Sequence, residues 1–168
     1  METTVTLYSP GYREARTYIM AALFMTGNII LPQLCHTIPQ GGLILLPIYF
    51  FTLIGAYKYG WTVGLLTALL SPIVNSVAFG MPPTAVLPQI VAKSVILSIA
   101  ASYAAQRTRT VSLLALTAVV AVYQLFGSVT ELIMTGSLTA ALQDIRIGLP
   151  GLLIQVFGGY ALMRYMMK

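Results

Sequence analysis

Charge is what this chain has least of. Only 8% of its 168 residues are Asp, Glu, Lys or Arg, against roughly one quarter in an ordinary soluble domain. Such a surface cannot hold a globular fold in water, which argues against a soluble enzyme. The single cysteine, Cys35, excludes an internal disulfide and any multi-cysteine cluster. The single histidine, His36, sits beside it in HTIPQGG, too few ligands for a metal that wants three or four. Walker-type phosphate loops, GxGxxG turns, HExxH and serine elbows are all missing. The chain therefore reads as no enzyme and needs no cofactor. Glu131 is the only acid expected within a membrane span, so a proton-carrying chain of carboxylates is missing too. No basic stripe interleaved with aromatics points to nucleic acid.

Apolar residues are abundant, at 58% with a mean hydropathy of +0.86, and they make the lipid bilayer the expected solvent. At about 20 residues per spanning helix, the length allows at most six spans. Residues 1–16 (METTVTLYSPGYREAR) are polar and do not resemble a signal peptide; they form a cytoplasmic segment before a single membrane domain over 17–168. Breaks in hydrophobicity divide that domain into segments near 17–35, 42–57, 61–79, 84–105, 111–135 and 147–164. Pro32, Pro47, Pro72 and Pro88 interrupt four of them. Such breaks are tolerated in membranes where protein or a wet cavity meets the freed backbone.

Lys and Arg in short loops mark the cytoplasmic side. Arg13, Arg16, Lys58, Arg107, Arg109, Arg164 and Lys168 all fall on one side of this frame, and only Arg146 on the other. The expected fold is an all-α integral membrane protein, a six-helix transmembrane bundle with both termini cytoplasmic, multi-pass in the cell's inner membrane.

Lys93 then lies within the fourth span, where an unpaired ionisable group costs several kcal/mol. Gln89 is one turn earlier on the same face. Glu131 lies near the outer end of the fifth span, with Gln124 two turns deeper. Lys93 can pair with Glu131, meet a ligand, or do both. Asn75, in the third span, suits either an interhelical hydrogen bond or ligand contact, and Gln155 in the last span is open in the same way. Asp144 and Arg146 read as a solvated pair in the fifth connection, able also to close over a ligand; His36 reads as interfacial. Tyr49, Trp61, Tyr103 and Tyr165 fit an aromatic belt.

Residues 45–105 also resemble a known family. The elements Leu46-Pro47, Tyr59-Gly60, Gly64-Leu65-Leu66, Ser71-Pro72, Gly80-Met81-Pro82-Pro83 and Leu87-Pro88 look like those of the substrate-binding S component of energy-coupling factor (ECF) vitamin transporters. The resemblance implies an S-component-like bundle that captures a vitamin or related nutrient from outside and delivers it inward. It further implies docking on a transmembrane coupling subunit driven by two cytoplasmic ATPases. On this reading the solute is held in the outer third by spans four to six under the first, third and fifth connections, with the polar residues Lys93, Gln89, Asn75, Glu131, Gln124, Arg146, Gln155 and His36 as candidate contacts. Docking in the family uses small residues of the first span; here the candidates are Thr17 with Ala21, or Ala22 with Thr26. The chain departs from many relatives in having Ile48 and Tyr49 where they carry a histidine, and Lys93 near the place of a fourth-span acid. A lysine suits a carboxylate, which favours an acidic vitamin such as pantothenate or lipoate over cationic thiamine. The rival readings are a solitary small-solute facilitator, which needs a continuous polar path, and a lipid-directed enzyme recruiting His36 with Asp144.

Overall fold

A computed structural model describes residues 3–4 and 10–166. The described chain is almost entirely helical: α1 (Ala15–Cys35), α2 (Gly41–Leu45), α3 (Phe50–Phe79), α4 (Leu87–Thr108), α5 (Leu113–Thr135), α6 (Leu138–Ala141), α7 (Gln143–Arg146), α8 (Leu149–Leu153) and α9 (Gly159–Tyr165). A 3-10 turn over Pro47–Tyr49 precedes α3, and a π turn over Ile154–Gly158 fuses α8 to α9. Two-residue strands, β1 (Thr3–Thr4) and β2 (Thr110–Val111), pair antiparallel.

α3 is one run of helical residues but two arms in space. Gly60 has φ 80° and ψ −176°, a combination essentially confined to glycine. Beyond it the chain folds back: a Cβ on Gly64 would stand 2.4 Å from that of Ala56, whereas eight residues of straight helix span about 12 Å. The expected division between segments 42–57 and 61–79 is thus a helical hairpin. Gly60→Ala should cost about 1–3 kcal/mol by forcing a side chain into this backbone geometry, read as a lower Tm of the purified protein.

The hairpin is the centre of the bundle. α1 lies against both arms: Asn28 reaches Thr52 on the first and Ser71 on the second, and Phe24 and Phe51 stack with ring centroids 6.5 Å apart. α4 covers the other side, with Ser102 donating to the Ala56 carbonyl and Ser98 against Gly64. α5 packs on α4, and the α8–α9 run closes against α5 and the first arm. Leu53, Ile54, Tyr57, Leu97, Leu116 and Tyr123 are fully buried among them.

One end of the bundle gathers several chain segments. Thr62 donates to the Pro10 carbonyl at 2.7 Å, Tyr57 to that of Thr110 at 2.7 Å, and Lys58 Nζ to that of Met166 at 2.8 Å. Arg13, Arg16, Lys58, Arg107, Arg109 and Arg164 belong to these segments, while Lys168 lies outside the described residues. Arg146 lies across the bundle.

Many large apolar side chains lie on the outer surface. Val77, Leu114 and Ile133 are each about four-fifths exposed, an arrangement water would not tolerate over so large a face. Among the described residues, four helical stretches are long and apolar enough to cross a bilayer: Ala15–Cys35, Pro47–Phe79, Leu87–Thr108 and Leu113–Thr135. The second of these contains the Gly60 hairpin. The segment expected at 42–57 is broken into α2, the 3-10 turn and the first arm of α3, and that expected at 147–164 is the α8–α9 run with its π turn.

Candidate functional site

The break at Leu46-Pro47 shapes the end of the bundle opposite the basic cluster. A residue before proline is disfavoured in the right-handed helical region, and Leu46 instead takes φ 46°, ψ 47°. That is a strained geometry for leucine, held here by burial. It turns the chain so that Tyr49, expected at a membrane interface, is buried and stacks on Tyr123 with centroids 5.7 Å apart. α8 packs closely on this break: a side chain on Gly151 would strike the Leu45 carbonyl at 2.5 Å. The close fit draws α7, just before it, over the mouth of the bundle.

Three charged groups meet there. Lys93, on the second turn of α4 and 3% exposed, lays its alkyl chain over Gly127 of α5, where a Cβ would come within 2.8 Å of Lys93 Cγ. Its ammonium donates to Asp144 Oδ2 of α7 at 2.7 Å and is in direct contact with Glu131 Oε2 of α5. The carboxylate side chains are 13% and 16% exposed. Asp144, expected to be solvated beside Arg146, instead turns inward to Lys93.

A cavity of about 140 Å³ adjoins this trio. Its polar wall is Lys93, Glu131, Asp144, Gln89, Gln143 and Tyr49; Leu46, Ile48, Val86 and Ile90 are among its apolar lining. Gln89 Oε1 is buried there without a hydrogen-bond partner among the described residues, an acceptor left for an occupant or water.

The structure brings Lys93, Gln89 and Glu131 together and leaves the other candidates elsewhere. Asn75 is buried between α1 and α3, donating to the Asn28 carbonyl at 2.8 Å and accepting from Gln33 at 3.5 Å. Gln155 accepts from the Tyr123 hydroxyl at 2.8 Å. Gln124 is buried without partners for its amide among the described residues, lining a separate, mostly apolar groove of about 400 Å³ between α5 and α8 with its π turn. Arg146 and His36 are exposed, the His36 ring resting against Gly42. Thr17 and Ala21 turn inward, Thr17 donating to the Gly11 carbonyl at 2.7 Å. Ala22 and Thr26 face outward. Gln143 and Tyr49 were not among the expected contacts, and Asp144 was expected as half of a solvated loop pair able to close over a ligand. The signal of Asp144 lay in scarcity, as one of four acids in the chain; Gln143 carried none.

The molecule is therefore an all-α protein with the helices of a membrane protein, holding a buried charged trio beside a cavity near one end of its bundle. Comparison with known proteins finds no matching family model, no matching curated protein and no matching solved structure.

Proposed function

We propose that this chain is a small-solute capture subunit of a membrane importer, of the ECF S-component kind, holding its solute in the cavity beside Lys93, Glu131 and Asp144. The observation that carries the reading is that cavity: ionisable groups are costly at membrane depth and are kept there where they serve a site. The segregation of basic residues to the other end supports a cytoplasmic location for that end under the positive-inside rule, with six crossings and both termini inside. The cavity then opens toward the exterior. The contacts are those of binding rather than catalysis. The trio is held by α4, α5 and α7 and the remaining lining is largely apolar, so a solute would be enclosed on several sides and oriented by the polar groups around the trio. Release inward requires a partner, and of the two small pairs on α1 it is Ala22 with Thr26 that is free to meet a coupling subunit, small residues allowing close helix approach.

The test is to denature protein purified from its native membrane and identify released small molecules by mass spectrometry, in parallel with Ile90→Trp, which fills the cavity from α4. A solute is expected from the unaltered protein and depleted from the variant. Equal recovery from both, or no solute from either, would overturn the proposal.

A further inference from the structure

We infer that the solute presents a cation or a fork of N–H donors to Glu131, Asp144 and Gln89, rather than an anion to Lys93. This deepens the proposed capture function and rests on the cavity being its site.

A lone lysine in a membrane helix is a ready counter-ion for a carboxylate ligand. In the folded chain that role is already filled twice. The Lys93 ammonium is held by Asp144 and by Glu131, and among the described residues no other Lys or Arg lines the cavity. An anionic solute would have to share Lys93 with two partners that are themselves largely shielded from water, weakening the compensation of both carboxylates. It would also meet those carboxylates in the same wall.

The trio has a formal charge of −1, one ammonium against two carboxylates. A positive group on the solute completes the neutralisation without breaking any contact the protein makes. Hydrogen-bonding capacity points the same way. A carboxylate offers about four acceptor positions, so Glu131 and Asp144 together have more acceptor capacity than one ammonium with three N–H groups can fill. Gln89 Oε1 adds a buried acceptor with no donor. The wall is thus rich in acceptors, while the ammonium already serves two carboxylates. Planar amidinium-like groups match such a wall, because paired N–H donors meet carboxylate oxygens in a charge-assisted, two-point contact. The apolar residues opposite, Leu46, Ile48, Val86 and Ile90, suit a flat unsaturated body attached to that group. The ligand class is therefore a small, flat organic cation or a base with amidine-type nitrogens.

Three probes of one shape isolate charge: benzamidine, which is cationic at neutral pH, neutral benzamide, and anionic benzoate. Binding of each to the purified full chain in nanodiscs, emptied of endogenous solute, is measured by calorimetry. Benzamidine should bind about ten-fold or more tighter than benzoate, with benzamide between them. The Glu131→Gln variant, which makes the trio formally neutral, should reduce that preference toward unity; its fold is checked by melting without probe, and Asp144→Asn provides the same comparison independently. Equal or tighter binding of benzoate, or a preference unchanged in both variants, would overturn the inference. If the solute released from the native protein is an anion that Ile90→Trp loses, the ligand class fails while the capture function stands. If neither solute nor any probe binds, both fail.

Discussion

Lys93→Met should destabilise the protein by about 3–5 kcal/mol, the expected result of stripping a buried charge network of its only cation. The methionine fills much of the same space over Gly127, so packing is conserved and the loss reports on charge. Without the ammonium, Glu131 and Asp144 face each other across a site that is only 13–16% exposed. Their repulsion is poorly screened there, since salt acts mainly on solvated charges. The control is the triple replacement Lys93→Met with Glu131→Gln and Asp144→Asn. Removing every formal charge at once should recover most of the stability, because neutral replacement of a whole buried network costs far less than breaking one partner out of it. Both proteins are compared by unfolding in the same detergent. A Lys93→Met protein that melts with the unaltered chain would mean that the three charges behave as solvated surface groups of little worth and do not form a buried network.

The sequence carried the membrane character and the helical segments because both are written in composition. Segments 17–35, 61–79 and 111–135 lie within a few residues of α1, the second arm of α3 and α5, since each is a long apolar run ended by polar or turn residues. The fourth begins at Leu87 rather than 84 because Pro88 is at home in the first turn of a helix. The broken second segment was announced by Pro47, but the left-handed Leu46 that makes the break was not. Lys93 and Glu131 were conspicuous as rare charges in apolar surroundings, and the meeting of α4 with α5 makes them a pair. Asp144 was misread because its partner is 51 residues distant in sequence. The neighbouring Arg146 is nearer along the chain, and yet α7 turns the two side chains apart. Distances of that kind are fixed by how α7 and α8 dock on the Leu45–Leu46 break, where Gly148 and Gly151 admit a close backbone approach. Local pattern carries no trace of such docking.

Asn28→Ala should cost about 2–4 kcal/mol, the worth of several neutral hydrogen bonds together with the penalty for leaving a buried donor unmade. Asn28 is fully buried at the meeting of α1 with both arms of α3. Its amide nitrogen donates to Thr52 Oγ1 at 2.9 Å and Ser71 Oγ at 3.3 Å, and its Oδ1 accepts from the Phe51 N–H at 3.1 Å. That N–H belongs to the first turn of α3, where a helix has no carbonyl of its own to offer. Asn28 thus serves at a distance of 23 residues the purpose that a capping side chain usually serves locally. Alanine leaves Phe51 without an acceptor in a place where water and lipid offer none. Asn28→Asp keeps the acceptor but loses the donor and buries a carboxylate between two hydroxyls, so it should be at least as damaging. Hydrogen exchange at Phe51 should quicken in Asn28→Ala together with the fall in Tm. Because Asn28 does not line the cavity, the folded fraction of that variant should still discriminate benzamidine from benzoate as the unaltered protein does. Lys93→Met, by contrast, should change both stability and discrimination. A loss of discrimination in Asn28→Ala would mean that the α1–α3 core and the charged site form one coupled unit rather than two independent ones.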